Sequence, residues 1–114
     1  MPFINSKVNV KILPEQETEL KMKLGKAIEL IPGKNESWLM LSFEDECTLY
    51  FKGENSCKIA YVEVKVFGSE NKEAFTLMTA AICQIYEEVL GIAPDKIYVK
   101  YEAVTNWGWN GMNF

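Results

Sequence analysis

The sequence predicts an α/β domain of the α+β kind: a mixed four-stranded sheet with two helices on one face, made from one β-α-β unit written twice in tandem. Three observations predict it. First, Leu20, Leu24, Ala27, Ile28 and Ile31 fall on one helical face, bounded by Pro14 and by Pro32-Gly33. Second, a displacement of 58 residues lays the chain on itself. Ile4 falls on Val62, Lys7 on Lys65, Val8 on Val66, Leu20 on Met78, Leu24 on Ile82, Ala27 on Ile85 and Ile31 on Val89; Leu39 then falls on Ile97, Leu41 on Val99 and Phe43 on Tyr101. Third, Gly33 lands on Gly91, so each half carries a glycine at the same distance from its helix and its strand. Right-handed crossovers in both halves would put the two helices on the same side of the sheet.

Each element has a local reason. Phe3 to Val10 reads as a strand of mixed polarity. Pro14 opens the first helix, where the missing N–H has no partner to lose. Pro32-Gly33 stops it, and the apolar run Trp38 to Phe43 reads as a buried strand. Cys47 to Phe51 reads as a short edge strand before the turn Lys52-Gly53-Glu54-Asn55. Such an edge needs cover, which a neighbouring subunit would supply. The second helix is expected to begin near Ser69, a favourable N-cap, and to end at Gly91, a favourable residue just past a helix. The tail from Asn106 to Phe114 carries Trp107, Trp109, Met112 and Phe114. That much aromatic surface is expected to dock on its own sheet or on a partner's, which favours a homo-oligomer.

Composition narrows the chemistry. The 114 residues are 48% hydrophobic and 25% charged, values of an ordinary globular chain and enough for one domain over residues 1–114. The net charge is −4 and no basic stripe appears, which argues against a nucleic-acid partner. No apolar run approaches the ~20 residues needed to span a membrane, and the N-terminus lacks a signal-peptide pattern, so a cytoplasmic protein is expected. There is no histidine, and all 12 basic residues are lysines. The commonest general base, the Ser-His-Asp and Cys-His arrangements and the usual zinc sites are therefore absent. So is any arginine fork for a carboxylate or phosphate. Cys47, Cys57 and Cys83 are odd in number and form no CxxC pair, which reads as three reduced thiols. No metal or cofactor is expected. Catalysis would have to rest on carboxylates, lysines, tyrosines, thiols or the chain terminus.

The terminus is the group that stands out. The chain begins Met-Pro-Phe-Ile, and a small second residue such as proline generally permits removal of the initiator methionine. Pro2 would then be a free secondary amine at the head of a strand. Taken with the doubled β-α-β pattern, the start Met-Pro-Phe-Ile, Gly33-Lys34, Tyr61 to Gly68, Pro94-Asp95-Lys96-Ile97-Tyr98-Val99 and Asn106-Trp107-Gly108-Trp109-Asn110-Gly111 resemble the macrophage migration inhibitory factor group of the tautomerase superfamily, over essentially the whole chain. The resemblance implies a homotrimer with active sites between subunits and keto–enol tautomerisation of small 2-keto acids such as phenylpyruvate. It implies Pro2 as catalytic base, Lys34 beside it, Phe67 meeting the substrate through its backbone amide, Tyr98 from the neighbouring subunit, and Trp107 on the rim. It also leaves a second role open, since animal relatives act as cytokine-like ligands and some are exported without a leader. The chain departs from the animal pattern at Ala60, where a CxxC would have its second cysteine, at Lys100 in place of an asparagine that contacts substrate, and at Trp107 in place of valine.

The chemistry these residues would perform follows from general principles. Enolisation needs a base for the proton beside a carbonyl, and positive charge where the enolate oxygen develops. A free α-amine has a pKa of about 7.7–8, so much of it is protonated at neutral pH. Partial burial and a neighbouring Lys34 ammonium both disfavour the charged form and lower that value. Lys34, and Lys100 with it, would attract the carboxylate of a keto acid.

Overall fold

The computed structural model describes residues 1–114. Its elements run β1 (Pro2–Val8), α1 (Pro14–Ala27), β2 (Met40–Glu44), β3 (Ala60–Phe67), α2 (Lys72–Leu90) and β4 (Ile97–Val104), then a terminal pair, β5 (Gly108–Trp109) and β6 (Met112–Asn113). Single 3-10 turns sit at Ile28–Leu30, Glu36–Trp38 and Pro94–Lys96. The repeat is visible in these boundaries. Pro2 and Ala60 open β1 and β3, Pro14 and Lys72 open the two helices, and Glu36 and Pro94 open the two turns that precede β2 and β4. Each pair is separated by the displacement found in the sequence.

The main sheet has the order β2-β1-β3-β4. The central pair β1 and β3 is antiparallel, with Pro2 opposite Val66 and Ser6 opposite Val62. Each outer strand is parallel to its inner neighbour, β2 to β1 and β4 to β3. A period of two then sorts the side chains. Ile4, Ser6 and Val8 of β1 and Ala60, Val62, Val64 and Val66 of β3 are buried toward the helices. Asn5, Lys7, Tyr61, Glu63 and Lys65 take the other, uncovered face. Leu20, Leu24 and Ile28 from the first crossover and Met78, Ile82 and Tyr86 from the second are fully buried against the strands, in one apolar cluster.

Several local features differ from the sequence expectations. The strand expected from Trp38 starts at Met40, because Asn35 caps the turn Glu36–Trp38 by accepting a hydrogen bond from the Ser37 amide at 3.0 Å. The first strand ends at Val8 rather than Val10, since the amides of Glu46 and Cys47 turn back onto the carbonyls of Val10 and Val8. Cys47 to Phe51 is accordingly no strand; only a Phe51–Glu54 bridge closes the turn there. The cap of α2 is Asn71, two residues beyond Ser69, and it accepts from the Ala74 amide at 3.0 Å. Gly91 does end α2 as expected, with φ of +70°, a conformation that costs glycine no Cβ clash. No helix is long and apolar enough to cross a membrane.

Ser6 is the one polar residue inside the apolar cluster, and its hydroxyl is hydrogen-bonded to the Tyr86 hydroxyl, both residues being fully buried. Burial pushes the Tyr86 phenol up to about 12, against a lesser downward pull from Ser6. Removing one partner strands the other without water. Tyr86→Phe is expected to destabilise the fold by about 1–3 kcal/mol in urea unfolding, with the double variant Ser6→Ala/Tyr86→Phe recovering part of that loss.

Candidate active site at the N-terminal strand

The start of β1 lies at the end of the sheet where α1 hands the chain on to β2. Ile28–Leu30 winds as a 3-10 turn, Gly33 takes φ of +81°, and the Lys34 amide closes on the Ile31 carbonyl at 3.0 Å. That turn aims Lys34 back over the sheet, where its ammonium donates to the Phe67 carbonyl at 2.7 Å. The amide of Phe67 in turn donates to the Met1 carbonyl at 3.0 Å. One residue at the end of β3, through its N–H and its carbonyl, thus ties Lys34 to the beginning of the chain.

The terminal amine feels both consequences. Its pKa is lowered below the ordinary α-amine value, first by burial and then by the charge and hydrogen bonding of the Lys34 ammonium. In front of it opens a cavity of about 500 Å³ lined by Met1, Pro2, Trp38, Met40, Trp107 and Trp109 among others. The ring of Trp38 meets that of Trp109 edge-on at 5.0 Å, Trp109 stacks on Phe114 at 6.4 Å, and Phe114 rests on Phe67 at 5.5 Å. The tail therefore docks on its own chain and forms one wall. A partly buried amine, an adjacent cation and an apolar, aromatic pocket are the ingredients of proton transfer beside a carbonyl.

The structure brings Pro2, Lys34, Phe67 and Trp107 to this end of the sheet and leaves Tyr98 and Lys100 elsewhere. Tyr98 pairs with Tyr61, five residues down β3 from the Val66 that faces Pro2, which is about 16 Å along a strand. Its exposed ring lies edge-on to Phe51 at 5.1 Å and lines a separate cavity of about 300 Å³ with Lys7, Tyr50 and Tyr61. Lys100 sits on the uncovered sheet face, 3.2 Å from Glu102, whose carboxylate raises its pKa.

Trp38 has no role in the sequence reading, which counts it as the first residue of a strand. The signal was Asn35-Glu36-Ser37, whose capping asparagine places Trp38 in a turn, from which it lines the same cavity as Met1.

A larger cavity, about 670 Å³, lies between α1 and β2 and is lined by Glu17, Thr18, Lys21 and Phe43 among others. The equivalent residues of the second repeat, Phe75, Thr76, Thr79 and Tyr101, line a groove of about 340 Å³ between α2 and β4. The pair is what the repeat leaves between each helix and its edge strand. Neither contains a terminal amine. No cluster of three or more histidine, cysteine, aspartate or glutamate side chains is placed to hold a metal ion.

The family model described as macrophage migration inhibitory factor (MIF) matches residues 1–114. The chain belongs to the macrophage migration inhibitory factor family. Among solved structures, MIF2 of Leishmania major is similar at 31% identity and a TM-score of 0.92, covering 100% of this chain and 97% of that one. The MIF homologue of Prochlorococcus marinus is similar at 32% identity and a TM-score of 0.87, covering 98% of each chain. The MIF-like protein of Entamoeba histolytica shares the fold at 23% identity and a TM-score of 0.87, over 99% of this chain and 98% of that one. No curated protein matches the chain. Oligomeric assembly, typically trimeric, is usual in the MIF family.

The electrostatic coupling is directly testable. In Lys34→Gln the terminal amine is expected to titrate at higher pH than in the parent chain, because one cation beside it is gone. The pH dependence of its labelling by an amine-specific reagent measures this, and an unchanged midpoint would mean that the Lys34 charge does not reach the amine.

Proposed function

We propose that this MIF family member is a cofactor-free keto–enol tautomerase of small 2-keto acids such as phenylpyruvate, with Pro2 as general base once Met1 is removed. The observation that carries this reading is the Met1 α-amine at the tryptophan-lined cavity, held toward its neutral form by burial and Lys34, with Pro2 lining the same cavity one residue further along the chain. After loss of Met1 the Pro2 nitrogen becomes the terminal amine at this end of β1. The same cleavage releases the Phe67 amide, which Met1 otherwise occupies, so one processing step frees a base and a hydrogen-bond donor together. Pro2 takes the proton from the carbon beside the keto group, the Phe67 amide is a donor for substrate oxygen, and Lys34 attracts the carboxylate.

The reading extends to a homotrimer whose sites lie between subunits. Tyr98, with Lys100 near it, would come from the neighbouring subunit, because within one chain it lies too far from Pro2. An uncovered sheet face supports assembly. So does Asn5 Oδ1 on that face, the one buried side-chain polar atom without a hydrogen-bond partner.

A second reading is a cytokine-like binding or signalling protein of the same fold with little catalysis. It gains from the unprocessed arrangement, in which the Pro2 nitrogen is part of a peptide bond and the Phe67 amide is occupied. Intact mass separates the two: retention of methionine in the native protein removes the proposed base.

In processed protein, Pro2→Gly is expected to lower kcat/KM for phenylpyruvate by about 100-fold or more, with the assembly unchanged in size-exclusion chromatography. A rate equal to the parent's would take the proline out of the mechanism. The shared site has its own test. Co-refolding inactive Pro2→Gly chains with inactive Tyr98→Ala chains is expected to restore activity, since some mixed interfaces pair an intact Pro2 with an intact Tyr98. No recovery would mean that each chain builds its site alone.

A further inference from the structure

We propose that Asn110–Gly111, at the tip of the terminal hairpin, is a deamidation site whose product unmakes the aromatic wall of the N-terminal cavity. The reaction needs only water. The Gly111 amide nitrogen attacks the side-chain amide carbon of Asn110, a C–N bond forms, and the side-chain nitrogen leaves as ammonia with the proton. Water then opens the resulting ring at one carbonyl or the other, giving aspartate or isoaspartate.

Three observations place the reaction here. Asn110 is followed by glycine, and both residues are exposed. Gly111 carries no side chain, and a Cβ built on it would meet nothing within 4 Å, so its α-carbon faces open space. The other asparagines, Asn5, Asn9, Asn35, Asn55, Asn71, Asn106 and Asn113, all precede residues with side chains. Four of them, Asn5, Asn9, Asn35 and Asn71, are also held by side-chain hydrogen bonds, whereas Asn110 makes none.

The second observation is the weakness of the element. β5 and β6 contribute two residues each and pair only with one another, outside the main sheet. One further bond, from the Phe114 amide to the Trp107 carbonyl at 3.0 Å, closes the hairpin. So short a ladder opens far more often than the core strands do. The third is the turn itself. Asn110 has φ of +54° and Gly111 φ of +80°, the left-handed pair of a tight hairpin turn. While the turn is closed it restrains the Asn110 backbone. Ring closure needs rotation that brings the Gly111 nitrogen onto the side-chain carbon, so the chemistry follows opening of the hairpin.

The product cannot rebuild the turn. Isoaspartate inserts a methylene into the main chain between two residues that must both be left-handed, and the pairing of Trp109 with Met112 loses its register. Trp109 then leaves Trp38, and Phe114 leaves Phe67, the contacts that form the cavity wall. Aspartate keeps the main chain and adds only a charge.

The test follows the full chain, folded and aged at mildly alkaline pH, by peptide mapping with isoaspartate-specific methylation and by tryptophan emission. Asn110 is expected to convert roughly ten-fold faster than exposed Asn55, with a red shift in emission that grows with the isoaspartate fraction. Freshly purified Asn110→Asp is expected to show the parent's emission. Conversion at Asn110 no faster than at Asn55, isoaspartate without a red shift, or a red shift already present in Asn110→Asp would each overturn the proposal. Neither readout passes through catalysis, so the result stands whether or not Pro2 is a base.

Discussion

The main chain of Phe67 uses both its hydrogen-bonding groups at this corner: its N–H reaches the Met1 carbonyl at 3.0 Å, and its carbonyl takes the Lys34 ammonium at 2.7 Å. Lys34 is thereby fixed beside the terminal amine, with one of its donors already satisfied. The α-amine is pushed toward neutrality there, first by burial and then by the neighbouring lysine. The antiparallel register of β1 with β3 makes this corner, since it sets Pro2 opposite Val66 and brings the end of β3 alongside Met1.

The repeat supplies a symmetrical frame, and the chemistry sits where the symmetry fails. Pro2 corresponds to Ala60 in the second half, a buried residue inside a continuous chain, and Lys34 corresponds to Ile92, which is fully buried. Neither offers an amine. The hairpin after β4 has no counterpart after β2, and it sets Trp109 against Trp38 of the first half and Phe114 against Phe67 at the end of β3. The two grooves between helix and edge strand show the converse: they obey the repeat and hold no terminal amine.

A single chain also divides its aromatic surface between opposite ends of the sheet. Trp38, Trp109 and Phe114 gather at the amine, while Tyr98, Tyr50 and Phe51 gather at the other end. Such an arrangement suits a head-to-tail contact, in which unlike patches meet and a rotation can close a ring.

Much of this architecture was legible in the sequence. Helix faces repeat with a period set by the backbone, glycine marks the left-handed positions and proline the first turn, so the doubled unit, the C-cap at Gly91 and the four-stranded sheet follow from local rules. Pro2, Lys34 and Phe67 were recognisable as candidates by resemblance, and Trp107 with them. Periodicity did not reveal that Trp38 leaves the strand for a capped turn, that Cys47 to Phe51 folds back on β1, or that the tail closes onto its own chain. Those outcomes depend on contacts between residues far apart in sequence, whose energies local propensity does not contain. The identity of the terminal amine and the lysine was written in the chain; the lowered pKa of the amine was decided by the tertiary fold, because a pKa responds to what lies within a few ångströms in space and is indifferent to separation along the backbone.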